Sequence, residues 1–306
     1  MLSYIIKRLL QSLIVLLIVA VCAFGLMRIA PGSPASLLLP DDATQEQVKQ
    51  LEIELGLDRP LPVQFWDYLS DILRGDLGTS IIYRRPITEL ISSRISNTAI
   101  LALGTVVAGC LLAIPLGIVA GSRRGKGIDL FCMLFALLGQ SMSSMLLGVL
   151  GIFFFSVKLG WLPAMGTGSF KHLILPILSM GYPMAAGLTR VARSGMIDAL
   201  GEDYITATYA KGVSSYKIYT KYALRNAIIP VVTMIGLTLG FQLSGAVVTE
   251  NVFGWAGLGS LLSVAVTSRD YPVVQSMILI SAVIFVVINL LVDIVNSFID
   301  PRLKLF

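Results

Sequence analysis

An all-α polytopic membrane protein is the fold class that this sequence predicts, and three observations predict it. The chain of 306 residues is 56% hydrophobic and only 13% charged, where a soluble globular domain carries about 25% charge. Its apolar residues gather in six long runs, most of them about as long as the roughly 20 residues that a helix needs to cross a bilayer. Between the fourth and fifth runs stands a polar island, residues 190–230, RVARSGMIDALGEDYITATYAKGVSSYKIYTKYALRNAIIP. The runs therefore read as six transmembrane helices. An external helical segment follows the first, and a cytoplasmic helical element separates the fourth from the fifth. The chain divides into a tail and first helix (1–30), the external segment (31–97), and a five-helix core (98–306) carrying the polar loop at about 196–226.

Taken in order, MLSYIIKR ends in two positive charges, and residues 9–27 form a nearly continuous apolar run. The run is long enough to span and no small-x-small pattern closes it, so it reads as a retained helix rather than a signal peptide. Pro31 and Pro34 stop it. DDATQEQVKQLEIELGL predicts an amphipathic surface helix with Val48, Leu51, Ile53 and Leu55 on or near one side. In DRPLPVQFWDYLSDILRGDLG, the residues Phe65, Trp66, Tyr68, Leu69 and Ile72 form a packing face. ITELISSRIS is a short helix that leads into the second run, 98–120, which contains Pro115. After the basic loop SRRGKG, the third run, 128–157, is longer than one straight span needs. Its middle, GQSMSS, is polar. That predicts a bent or interrupted helix lining an interior, because irregular backbone is tolerated only away from lipid. Gly160, Trp161, Leu162 and Pro163 mark a turn with an interfacial tryptophan. The fourth run, 173–191, contains Pro176 and Pro183. The island then reads as two short helices, one with Ile205, Ala207 and Ala210, the other with Ile218, Tyr219 and Tyr222. Gly212 between them suits a turn of positive φ or close backbone approach. The fifth run is 228–249. Residues 250–272 read as a re-entrant or surface hairpin, and 273–294 is the sixth run.

Six spans place both termini on one side. With the N-terminus inside, Lys7, Arg8, Arg123, Arg124, Lys126, the basic residues of the island, Arg302 and Lys304 all lie in short inner segments. The positive-inside rule makes that side cytoplasmic. Nothing in the sequence forms a catalytic constellation, and no G-x-x-x-x-G-K-[ST] appears, so no P-loop for ATP is present. Cys22, Cys110 and Cys132 lie in apolar runs without metal-ligand spacing. His172, the one histidine, reads as a structural residue at the outer start of the fourth span. Charges within the spans are nearly absent. Asp293, near the cytoplasmic end, can snorkel or pair with Arg302. Proton-coupled carriers need intramembrane ionisable groups, so this chain reads as one that takes its energy from a partner docked on the island.

Several short motifs carry a family resemblance: RIAPGSP, LGLDRPLPVQF, GDLGTSI, RRPITELI, LGWLPAMG, EDYITATYAKG, ALRNAIIP, ENVFGWAGLG, RDYPVVQ and NLLVDIVNSFIDPR. Over nearly its whole length the chain resembles the integral membrane permease of the bacterial dipeptide/oligopeptide/nickel family of ABC importers. The resemblance implies that the island is the EAA loop, whose helix fits a groove in an ATPase subunit. Thr206, Ala207 and Thr208 stand where the general loop has Glu-Ala-Ala, and Gly212 is its glycine. The expected coupling residues are Glu202, Asp203, Tyr204, Ala207, Ala210, Lys211 and Gly212. Three departures stand out. Thr206 replaces the glutamate, with Glu202 and Asp203 placed earlier. Pro230 lies farther from Gly212 than in sugar-importer loops. Ser143 stands where many relatives have proline.

The resemblance further implies a non-enzymatic half of a translocation pathway in the bacterial cytoplasmic (inner) membrane, with both termini cytoplasmic. The implied partners are a second homologous permease subunit, two ATPase subunits and an extracytoplasmic solute-binding protein, with no nucleic acid. No cofactor is expected on this chain; ATP and Mg belong to the ATPases. The uncharged polar residues Gln140, Ser141, Ser144, Thr233, Gln242 and Ser244 are the pathway candidates. The primary reading of the cargo is a peptide. Nickel, another metal chelate or glutathione fits the same family, and a channel or scaffold without an ATPase is the reading from a different class.

Overall fold

The computed structural model describes residues 2–29, 39, 44–54 and 58–299. Among these the regular elements are helical, apart from an isolated bridge pairing Thr79 with Pro86. Helix α1 is Leu2–Ile29, α2 is Gln45–Glu54 and α3 is Leu61–Leu73. Helix α4, Ile87–Ser122, is followed by α5, Gly127–Ser141, and by α6, which runs Ser144–Lys158 and is π-helical over its last part, Ile152–Lys158. Helix α7 is Phe170–Leu200 and α8 is Asp203–Ala210. Helix α9, Ser215–Leu243, contains a π-helical stretch at Ile218–Ala223. Two short helices, α10 (Val247–Val252) and α11 (Leu258–Thr267), precede α12, Tyr271–Ile299.

Five of these helices (α1, α4, α7, α9 and α12) are long and apolar enough to cross a membrane, and α5 with α6 makes a sixth candidate if the pair counts as one span. The pair bends by 92° at Met142 and Ser143, so the third run is interrupted where its polar centre predicted. Met142 is extended (φ −98°, ψ 131°), and the Ser143 side chain accepts from the Leu146 N–H at 3.2 Å. Ser143 thus caps the start of α6 and satisfies one of its free N–H groups.

Two helices outgrow their sequence-drawn limits. Helix α4 has 36 residues, about 54 Å at 1.5 Å per residue, against a hydrocarbon core of about 30 Å. It runs without a break through the boundary drawn at 97. Helix α7 continues past 191 to Leu200 and carries Arg190 and Arg193 on its last turns. The two helices pack closely along their length. Gly117 and Gly121 are spaced as a small-xxx-small pair, which lets helix backbones approach in a membrane. A Cβ at Gly117 would collide with Ala192, and one at Gly121 would lie 2.5 Å from the Met196 Cβ.

Three buried clusters follow the long helices from one end of the bundle to the other. At the first end, Ile87, Leu90 and Ile91 of α4 pack with Leu258, Leu261 and Ala265 of α11 and Val273 and Met277 of α12. In the middle, Ala113, Met184, Ala185, Leu188, Ala192 and Val231 join α4, α7 and α9. At the far end, Met196, Ala199, Ile205, Ile218, Ala223 and Ala227 join α7, α8 and α9.

Of the expected aromatic face, Phe65 and Tyr68 pack on Phe24 of α1, with ring centroids 5.2 and 5.8 Å away. Trp66 departs from it: its side chain points outward and is 71% exposed. The amphipathic helix forms as α2, but Leu55 and the Leu51 side chain lie outside the described residues, and Ile53 is exposed. Asp293 pairs with Arg8 of α1 at 3.2 Å; Arg302 lies outside the described residues.

Candidate functional site

The polar island folds into a helix–turn–helix that hangs from the far end of α7. Helix α8 has eight residues, and Asp203 in its first turn sits where the helix dipole favours a negative charge. Glu202 precedes it in extended conformation without a side-chain cap, and Lys211 ends the helix. Gly212 has φ +75°. Its N–H donates to the Tyr209 carbonyl at 2.9 Å, and the Val213 N–H donates to the Thr208 carbonyl at 3.4 Å. That pair of bonds is the Schellman closure, in which a left-handed residue satisfies the last carbonyls of a helix. The positive φ expected at Gly212 is therefore present, and the space around it is open, with no atom within 4 Å of an added Cβ.

One buried side chain packs α8 against the body of the chain. Ile205 is 2% exposed and packs with Ile218 and Met196, while the rest of α8 is exposed or half-buried. Ala207, Ala210, Lys211, Glu202 and Asp203 all face outward. Tyr204 has a divided role. Its ring is exposed, but its hydroxyl accepts from Asn226 at 2.9 Å and donates to the Tyr222 carbonyl at 3.4 Å, which ties α8 to α9. Tyr209, also exposed, stands beside Tyr219, and the hydrogen bond between the two phenols, with burial, holds the Tyr209 hydroxyl above its ordinary pKa.

The pathway candidates fall into two groups. Gln140 and Ser141 are exposed at the end of α5, and Ser144 is half-buried at the start of α6, so these three flank the 92° break. Ser141 donates to the Leu137 carbonyl at 2.8 Å. The other three lie on α9. Thr233 accepts from Asn296 of α12 at 2.9 Å, and Ser244 exchanges bonds with Ser281 of α12. These two hydroxyls are thus bonded between helices of the same chain. Gln242 is 6% exposed, and its Oε1 has no hydrogen-bond donor among the described residues. Among the described residues no cluster of His, Cys, Asp and Glu could hold a metal ion.

Three buried carboxyls organise the chain around these sites, and sequence reasoning assigned none of them a role. Asp129, in the first turn of α5, is held by both ends of the Arg193 guanidinium: Nε donates to Oδ1 at 2.6 Å and an Nη donates to Oδ2 at 2.8 Å. The Gly125 N–H adds a third bond at 2.9 Å. At the first end of the bundle, Glu250 is fully buried. It accepts from the Thr98 hydroxyl and from the Ser260 N–H, each at 2.8 Å, so it caps the start of α11. Burial raises its pKa from the ordinary carboxyl value, against the opposing pull of these donors. Asp270, 1% exposed, accepts from the Ser80 hydroxyl and the Ile81 and Ile82 N–H groups, which fixes the turn before α4. The available signal was the position of Glu250 in an otherwise apolar stretch, since a lone carboxyl there must find internal donors.

Comparison with known proteins gives a consistent result. Residues 113–305 match the family described as "Binding-protein-dependent transport system inner membrane component", and residues 1–102 match the N-terminal module of the same kind of component. The glutathione transport system permease protein GsiC of Salmonella typhimurium strain LT2 is 43% identical over 304 residues, covering 99% of both chains. The protein of the same name from Escherichia coli K12 is also 43% identical over 304 residues. Among solved structures, an inward-facing methionine ABC transporter, MetNI, superposes with a TM-score of 0.57 at 17% identity, covering 69% of this chain and 96% of the other. An amino acid ABC transporter crystallised with histidines gives 0.52 at 18% identity, over 70% of this chain and 94% of the other. These two similarities bear on the fold alone.

Proposed function

The chain belongs to the family of binding-protein-dependent transport system inner membrane components and is the permease subunit of an ABC importer, and from that premise we propose that its cargo is a short peptide of the glutathione class. The observation that carries the cargo is the 43% identity, end to end, with permeases named for glutathione transport. Glutathione is itself a modified tripeptide, so the peptide reading and the relatives' name describe one chemical class. The working assembly pairs this chain with a second, similar permease, two ATPase subunits that bind ATP and Mg, and a solute-binding protein outside the cytoplasmic membrane.

In this reading both termini and the island are cytoplasmic. Helix α8 docks in the ATPase groove through Tyr204, Ala207, Ala210 and Tyr209, with Glu202, Asp203 and Lys211 on the rim. Closure of the ATPases displaces α8, and the Ile205–Ile218 contact passes the movement to α7 and α9. Gln140, Ser141 and Ser144 at the break face the central cavity, because amide and hydroxyl groups turned to lipid would lack partners. The test is uptake of labelled glutathione, a labelled dipeptide and nickel ion by membrane vesicles holding the full assembly. ATP-dependent uptake of glutathione or the dipeptide is expected. Uptake of nickel ion alone would refute the cargo, and uptake without ATP would refute the energy source.

A further inference from the structure

We propose that the Asp129–Arg193 pair is the strut through which the cytoplasmic coupling element moves the broken third span. The inference rests on the importer reading above and goes beyond it, in naming the residues that join the docking element to the bend. Arg193 lies on α7 one turn before Met196, and Met196 packs on the Ile205 and Ile218 contact that anchors α8. Asp129 lies in the first turn of α5, whose other end is the 92° break beside Gln140. A displacement of α8 therefore reaches α5 through the end of α7 and this pair.

The chemistry favours a positioning role over simple adhesion. The Asp129 side chain is 7% exposed and that of Arg193 25%. A buried ion pair gains little net stability, because desolvation offsets attraction. Adhesion of α5 to α7 is supplied elsewhere. The Tyr182 hydroxyl donates to the Phe135 carbonyl at 3.0 Å, and Gly139 lies against Tyr182 and Ala186. What the pair adds is direction. A planar guanidinium held at two nitrogens fixes an angle as well as a distance, which a lysine cannot do. The Gly125 bond to the same carboxylate brings the preceding loop into the joint.

The test uses the whole assembly in proteoliposomes, with labelled glutathione or a labelled dipeptide as the probe. Arg193→Gln, Arg193→Lys, Asp129→Asn and the exchanged pair Asp129→Arg with Arg193→Asp are compared for membrane level, ATPase retention, ATP hydrolysis and uptake. The single variants are expected to assemble and hydrolyse ATP while uptake per ATP falls about fivefold or more, the usual lower range of coupling between sites. The exchanged pair is expected to recover most of that ratio. An unchanged ratio in Arg193→Gln and Arg193→Lys would overturn the proposal. So would a loss of uptake that only tracks loss of assembly and is not recovered by the exchange. A wild-type assembly that imports neither probe with ATP would instead refute the importer reading, and this proposal with it.

Discussion

Gly257→Ala is the substitution for which the structure sets the sharpest expectation. Gly257 has φ −111°, an ordinary value for any residue, so backbone strain plays no part. The obstacle is space. An added Cβ would collide with the Glu250 carboxyl, lying 2.5 Å from Oε2 and closer still to Oε1. The carboxyl has no room to retreat, since Glu250 is fully buried and bonded to Thr98 and Ser260. Moving it breaks two hydrogen bonds at about 1 kcal/mol each, and leaves a buried acceptor unsatisfied at about 1–3 kcal/mol. Uncapping α11 adds about 1 kcal/mol. A destabilisation of about 4–6 kcal/mol is expected, at or above the upper end for single substitutions. Thermal unfolding of the detergent-solubilised chain, followed by size exclusion, measures it. The mechanism is tested by a cycle with Glu250→Ala, which removes the obstructing carboxyl. Gly257→Ala should then cost far less than in the parent, because contacting residues are not additive. A wild-type melting temperature for Gly257→Ala, or the same penalty in both backgrounds, would refute the reasoning.

Gly212→Ala should cost about 1–2 kcal/mol through its left-handed φ alone, and Gly212→Asn less, because Asn tolerates that region. Gly212→Asp should leave the chain in the membrane but reduce ATPase retention or uptake, and normal values of both would remove the coupling role from the island. Burial raises the Glu250 pKa, so its contribution to stability is complete below the ordinary carboxyl value of 4.5 and is lost as pH rises through the raised one. The difference in melting temperature between wild type and Glu250→Gln should therefore shrink as pH rises above that value; a difference constant with pH would contradict it. Cysteines at Lys211 and Gln47, in a background without Cys22, Cys110 and Cys132, should label from opposite sides of intact cells, and outside labelling of position 211 would overturn the cytoplasmic island.

The long helices were legible because apolar runs announce themselves in composition, and the break was legible because GQSMSS interrupts one. Gly212 was legible as a left-handed residue because a glycine between two helical patterns has few other uses. What stayed hidden was pairing. Asp129 and Arg193 are far apart in sequence, and nothing local says that an aspartate in the first turn of α5 belongs to an arginine of the island. Tyr204 was expected only as one of the coupling residues, and the fold alone places Asn226 within 2.9 Å of its hydroxyl. Thr233 and Ser244 were read as pathway residues from their polarity alone, and only the fold shows that each is bonded to α12, through Asn296 and Ser281. The ends of α4 and α7 were misjudged because hydropathy marks where lipid stops and not where the helix does.

The hairpin end of the bundle has a consequence for how the chain is made. Glu250 and Asp270 are bound by Thr98 and by the turn at Ser80, and Ser276 donates to the Leu77 carbonyl. Every one of these bonds joins the first third of the chain to its last fifth. A ribosome delivers the early partners first, so Leu77, Ser80 and Thr98 are made before the residues that bond them. The closing of this clasp is thus a late, long-range event, and such contacts are slow to form because the loop between them must first be ordered. Until then the early side of the clasp has none of these partners, so a chain cut short before residue 250 lacks every bond of this end.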